Sequence, residues 1–243
     1  MFRHTRILPL VLATAVLAGT TACDDDEGTG PVQPGSVRAI HAIGNGPAVD
    51  LLVDGTPLTG YGNVAFKASG AYQTVAAGVR DFIVRQNGTT TAILTANDQQ
   101  IASSARYTVV ALGRAGATGA LAPAFRLIPD AAAPAANQAT LRLLHASPAA
   151  GNVDVYITAP GADLAAEQAD FGNVAFNANP VVASLAAGTY RIRLTTAGTK
   201  TVKVDRNDVT VAAGQRWLGV ALGDDAPGTG NASAFEIVTR QEN

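Results

Sequence analysis

YRIRLT, residues 190–195, alternates Tyr190, Ile192 and Leu194 with Arg191, Arg193 and Thr195. A strand sends successive side chains to opposite faces, so a period of two places the apolar set against a core and the arginines in water. RDFIVR, residues 80–85, keeps Phe82 and Val84 in register with Ile192 and Leu194. VDLLV at 49–53 and VDVYI at 153–157 each put three apolar residues on one face. Further strand candidates are VRAIHAI, QTVAA, TAILTA, RYTVVALG and APAFRLI, with counterparts in the second half. Asn87 and Gly88 fall between two such runs and signal a hairpin, because both residues tolerate positive φ; Ala197 and Gly198 stand at the equivalent place.

The two halves are copies. GNVAF occurs at 62–66 and at 172–176, and the offset of 110 also relates AAG 76–78 to 186–188 and ALG 111–113 to 221–223. Upstream the offset is 104, relating VRAIHA at 37–42 to LRLLHA at 141–146, so the second copy carries six extra residues around PGADLAAEQ. The predicted units are 37–129 and 141–243, joined by an alanine-rich linker at 130–140 that would leave them as independent beads. Each is long enough for its own core. Short strands separated by turn residues, without a helical period, predict an all-β chain of two tandem immunoglobulin-like β-sandwich domains of about seven strands each. Within GNVAF, Gly62 and Asn63 make a turn while Val64 and Phe66 face a core, a structural motif.

Residues 1–22 have the layout of a secretory signal: Arg3, His4 and Arg6 precede an apolar run from Ile7 to Ala18. A run of that length falls short of the roughly 20 residues that span a bilayer. The only cysteine, Cys23, follows Thr21 and Ala22 where the signal would be cut. This resembles the lipobox of bacterial lipoproteins, in which the cysteine becomes the lipidated first residue; Thr20 stands where leucine is usual. Simple secretion with a free thiol is the alternative. Residues 23–36, with the acidic run Asp24 to Glu27, read as a solvated tether. The expected location is the bacterial cell envelope, lipid-anchored and either periplasmic or surface-exposed.

The chemistry of catalysis is sparse. No GxSxG, SxxK, HExxH or phosphate-loop motif occurs, so neither catalytic residues nor cofactor or metal ligands are expected. Asp205, Asp208, Asp224 and Asp225 are predicted on loops as turn residues. His41 and His145 end equivalent strands, where each would hold a turn by bonding backbone. A net charge of −2 with dispersed arginines argues against nucleic acid. Most aromatics have core register, but Tyr72 and Tyr156 face Val182 and Leu52 at the matching positions. They are the candidates for contact with a ligand. The expected partners are the membrane, through an N-terminal lipid, and an envelope protein or polysaccharide; an unrecognised hydrolase is the remaining rival.

LRLLHASPAAGNVDVYI, then FGNVAF, LAAGTYRIRLTTAGT and WLGVALG, resembles the bacterial domain of unknown function 4397 family. The first copy resembles it more loosely, lacking the serine and proline after its histidine. The resemblance implies an exported, envelope-associated β domain, often in tandem behind a lipoprotein signal, and it brings no catalytic residues.

Overall fold

The computed structural model describes residues 32–224 and 233–242. Cys23, the signal at 1–22 and most of the acidic tether lie outside them. The first unit contains β1 (Gly35–Gly44), β2 (Val49–Val53), β3 (Thr56–Pro57), β4 (Gln73–Val75), β5 (Gly78–Gln86), β6 (Ala92–Ile101), β7 (Arg106–Arg114) and β8 (Ala124–Pro129). The second contains β9 (Gln138–His145), β10 (Val153–Thr158), β11 (Phe171–Val174), β12 (Val181–Ala186), β13 (Gly188–Thr196), β14 (Val202–Val211), β15 (Arg216–Asp224) and β16 (Ser233–Glu242).

Each unit is a sandwich of two four-stranded sheets. In the first, β4-β1-β7-β8 faces β3-β2-β5-β6; in the second, β12-β9-β15-β16 faces β11-β10-β13-β14. Pairing is antiparallel except at the centre of one sheet per unit, where β1 lies parallel to β7 and β9 parallel to β15. The hairpin expected at Asn87 and Gly88 joins β5 to β6, with Gly88 at φ 73°, and Gly198 at φ 73° turns β13 into β14. Asp205 and Asp208 belong to β14 and Asp224 ends β15, so none of the three lies in a loop. Asp208 has φ 58°, as does its counterpart Asp98 at φ 56°, and the ladders beside both strands shift register. Such bulges twist a long edge strand away from unwanted pairing.

Alternation delivers the cores. Val37, Leu51, Phe82, Val84 and Val109 meet inside the first sandwich; Leu141, Val153, Val155, Ile192 and Leu194 meet inside the second. One expectation fails here: Arg193 is 3% exposed and donates from Nη2 to Thr158 Oγ1 at 2.9 Å, so only Arg191 of the two arginines in YRIRLT reaches solvent.

The units are not beads on a string. A third apolar cluster joins Ile40, Ala42, Val110, Leu112 and Ile128 of the first unit to Leu144, Ala146, Leu218, Val220 and Leu222 of the second. The sheets containing β1 and β9 therefore meet face to face through their central strands, and the described residues form a stack of four sheets. The linker is fastened as well. Asp130 N donates to Arg106 O at 2.8 Å, Ala131 N donates to Glu242 Oε2 at 3.1 Å, and Arg216 Nη1 donates to Ala131 O at 3.0 Å.

Candidate functional site

The repeated motifs converge at one end of each sandwich. His41 and His145 are 2% and 3% exposed. His41 Nε2 donates to Pro47 O at 3.0 Å while Nδ1 accepts from Ile43 N at 3.3 Å; His145 does the same with Gly151 O at 2.7 Å and Ser147 N at 3.4 Å. Burial pushes both imidazoles below the ordinary histidine range. The last residue of each GNVAF, Phe66 or Phe176, meets the histidine edge to face at 6.0 or 6.3 Å.

Asp50 and Asp154 tie the same motifs from the other side. Asp50 Oδ1 accepts from Asn63 N at 2.9 Å and from Asn87 Nδ2 at 2.7 Å, and Arg85 Nε lies 3.2 Å from Oδ2. The Asn63 amide, then the Asn87 amide and Arg85, hold the Asp50 carboxyl below the usual carboxylate range. Asp154 accepts from Asn173 N at 2.7 Å and Gly198 N at 2.8 Å. Asn63 and Asn173 sit at φ 57° and 55°, a left-handed turn that asparagine tolerates. These histidines and aspartates brace turns, which is a structural task.

Of the two tyrosines expected to contact a ligand, Tyr156 does not present its ring. It is 3% exposed, it pairs across the ladder with Arg193, and Lys200 Nζ stands 4.5 Å from its ring centre. That ammonium also donates to Glu167 O, so the hairpin and the inserted loop close over the ring.

Tyr72 is half-buried in a polar seam. Arg38 Cζ lies 4.6 Å and Arg106 Cζ 3.9 Å from its ring centre, and its hydroxyl donates to Asp130 Oδ1 at 2.7 Å and Oδ2 at 2.8 Å. Burial, then the bond to Asp130, pushes the phenol well above its ordinary value. Arg38 itself is 4% exposed and crosses to the second unit, donating from Nη1 to Gln241 O at 2.8 Å. Tyr72 is thus occupied within the chain.

The seam continues into an open groove between the units. Arg126 to Pro129 of β8 form one wall; Arg142, Asn179, Pro180 and Val182 form the other, around about 350 Å³. Arg142 is ion-paired through Nη2 with Glu242 Oε1, and Glu242 has no exposure at all. Arg126 Nη2 donates to Asn179 Oδ1 at 2.7 Å. The groove has apolar sides and carries the Arg126 guanidinium, and it exists only because the two units pack. Sequence reasoning misses it for that reason, although the mismatch of Tyr72 with Val182 is its trace.

A second, smaller cleft of about 120 Å³ opens in the second sandwich, lined by Leu141, Arg206, Asp208, Val209, Thr210 and the half-buried Trp217. Trp217 Nε1 donates to Gln215 Oε1 at 3.1 Å. Asp205 is held in a two-pronged pair with Arg191, Nε to Oδ1 at 2.8 Å, which draws its carboxyl down. The side chains of Asp224 and Asp225 lie outside the described residues. No group of three or more His, Cys, Asp or Glu able to hold a metal ion occurs among the described residues.

Comparison with known proteins gives a family but no activity. No curated protein matches the chain. Among solved structures, a candidate adhesin from Bacteroides ovatus aligns at 10% identity over 88% of this chain and 96% of its own, with a TM-score of 0.22. A candidate cell adhesion protein from Bacteroides eggerthii DSM 20697 aligns at 12% identity over 88% and 97%, with a TM-score of 0.21. Likenesses this distant say nothing about function here. The profile of one family, described as a domain of unknown function, covers residues 35–156, from β1 into β10 and half of the 243 residues. The chain belongs to that family, DUF4397.

Proposed function

We infer that this protein is a lipid-anchored envelope module that displays a rigid pair of β-sandwiches for binding, without catalysis. The observation that carries the reading is Cys23, the only cysteine, placed after an apolar run that ends in small residues and before an acidic tether. The tether stands the body off the membrane, and the groove between the units gives that body a surface to bind with. The pairing of Asp205 with Arg191 and the use of Asp50 and Asp154 as turn braces support a non-enzymatic role. Mass spectrometry of the protein extracted from its native membrane tests the anchor. A diacylated N-terminal cysteine, lost with release of the protein in Cys23→Ala, is expected. An unmodified Cys23 on a soluble product would sink the anchor and leave a secreted module.

A second reading, polysaccharide binding, is favoured by the Trp217 cleft. A half-buried indole beside Arg206, Asp208 and Thr210 offers a face for a sugar ring and groups for its hydroxyls, where the first unit has Tyr107, Ala96, Asp98 and Gln100. The cleft falls below the roughly 300 Å³ of an enclosing ligand site, so it suits the end of a chain. Trp217 is the only tryptophan, so its emission reports that cleft directly. A saturable shift with purified envelope polysaccharide is expected under this reading; unchanged emission rules it out.

A further inference from the structure

Positions 72 and 182 are one place in two units, filled in the first and open in the second. The β1–β4 ladder pairs Val37 with Gln73, which sets Tyr72 opposite Arg38; the β9–β12 ladder pairs Arg142 with Val182. The neighbours correspond too, since the offsets of 104 and 110 relate Arg38 to Arg142, Arg106 to Arg216 and Thr108 to Leu218. In the first unit the Tyr72 ring lies against the Arg38 guanidinium, whose Nε donates to Thr108 Oγ1 at 2.8 Å. In the second, Leu218 offers no acceptor, and Arg142 Nε is buried without a hydrogen-bond partner among the described residues. Val182 carries no ring and is 56% exposed, the groove opens beside it, and 11% of the Arg142 side chain reaches its surface.

We propose that this groove receives a tyrosine side chain of a partner polypeptide, its ring laid on Arg142 as Tyr72 is laid on Arg38. The chain carries its own template for the occupant. Charge complementarity agrees at Arg126, whose guanidinium suits the negative face of an aromatic ring, while Arg142, balanced by Glu242, offers a flat surface for stacking. A volume of about 350 Å³ accommodates a phenol. The source is a polypeptide because β12 is an edge strand, so a segment laid beside it finds backbone groups to pair with while alternate side chains enter the groove. The assignment deepens the reading of the chain as a binding module. Its test is read from peptide affinity and not from the state of Cys23, so the two ideas fail separately.

The full chain in detergent is titrated with a fluorescent octapeptide of serine and threonine carrying one central tyrosine, with an alanine counterpart and with free p-cresol. Arg142→Ala leaves Glu242 buried and uncompensated and is apt to unfold the seam, so the decisive variant is Val182→Tyr. It fills the groove with an internal ring, as the first unit already does, and retains the ion pair. Saturable binding of the tyrosine peptide is expected, at least tenfold tighter than that of the alanine peptide, with at least a tenfold loss in Val182→Tyr. Equal affinity for the two peptides, no binding by either, or unchanged binding in Val182→Tyr overturns the proposal. Binding of p-cresol as tight as that of the peptide overturns the polypeptide as the source.

Discussion

His41 and His145 each accept an amide proton at Nδ1 and donate one from Nε2, a pairing that only neutral imidazole can make. Protonation would abolish the Nδ1 acceptor inside a buried site. The folded-state pKa of each is lowered by burial, whereas the unfolded chain titrates near about 6.5. Below that value the unfolded state binds more protons than the native one, so stability rises with pH through the window and is fully present above it. A tenfold difference in proton affinity between the folded and unfolded states is worth about 1.4 kcal/mol, and two equivalent histidines act together. Thermal unfolding followed from pH 7.5 down to 5 should show a melting temperature that falls as pH drops through 6.5. The double variant His41→Gln, His145→Gln should be less stable at pH 7.5 and flat across that range. Asp50 does not confuse the measurement, because its depressed pKa contributes stability that is lost only as pH falls below the carboxylate range. An unaltered slope in the variant would remove the histidines from the account.

At the level of strands, the sequence contains two kinds. β5 and β13 alternate in sequence, and RDFIVR and YRIRLT bring Phe82 and Ile192 to zero exposure, but both ladders shift register just before these residues and Tyr190 stays outside the core. β1, β7 and β15 do not alternate, and β9 stops alternating after Arg142. VRAIHAI, YTVVALG, LRLLHA and WLGVALG are near-continuous apolar runs, and β1 is buried at nine of its ten residues. A continuous run is the mark of a strand covered on both faces. It is legible, but it names no partner, and the alanine-rich linker argues for separation. Arg193 departs from expectation for a related reason. Alternation assigns a face but not whether that face is wet, and here Arg193 lies opposite the buried Tyr156 and bonds Thr158 of the neighbouring β10. The turn braces are half legible. The repetition of HA, VD and GNVAF marks residues shared by both units, yet only the fold brings histidine to phenylalanine and aspartate to asparagine.

At the level of the whole molecule, the third apolar cluster decides whether one body or two is displayed. Leu144, Leu218, Val220 and Leu222 from the second unit, and Ile40, Val110 and Leu112 from the first, are each at most 1% exposed. Burying such a side chain is worth roughly 1.5–3 kcal/mol, so seven of them outweigh the few backbone and side-chain bonds that fasten the linker. Separating the units would expose a contiguous apolar face on both, which isolated surfaces rarely tolerate. The native chain should therefore unfold in one cooperative transition. Val220→Asp places a carboxylate in the middle of this cluster while leaving both sandwich cores untouched, since Val220 belongs to neither. Its desolvation is relieved only if the units part. Denaturant unfolding of that variant should resolve into two transitions, the units melting separately, with amide exchange rising in β1, β7, β9 and β15 before β5 and β13. A single transition with uniform exchange would mean that the units are coupled through the Arg38, Asp130 and Glu242 seam, and that the apolar cluster follows their contact without driving it.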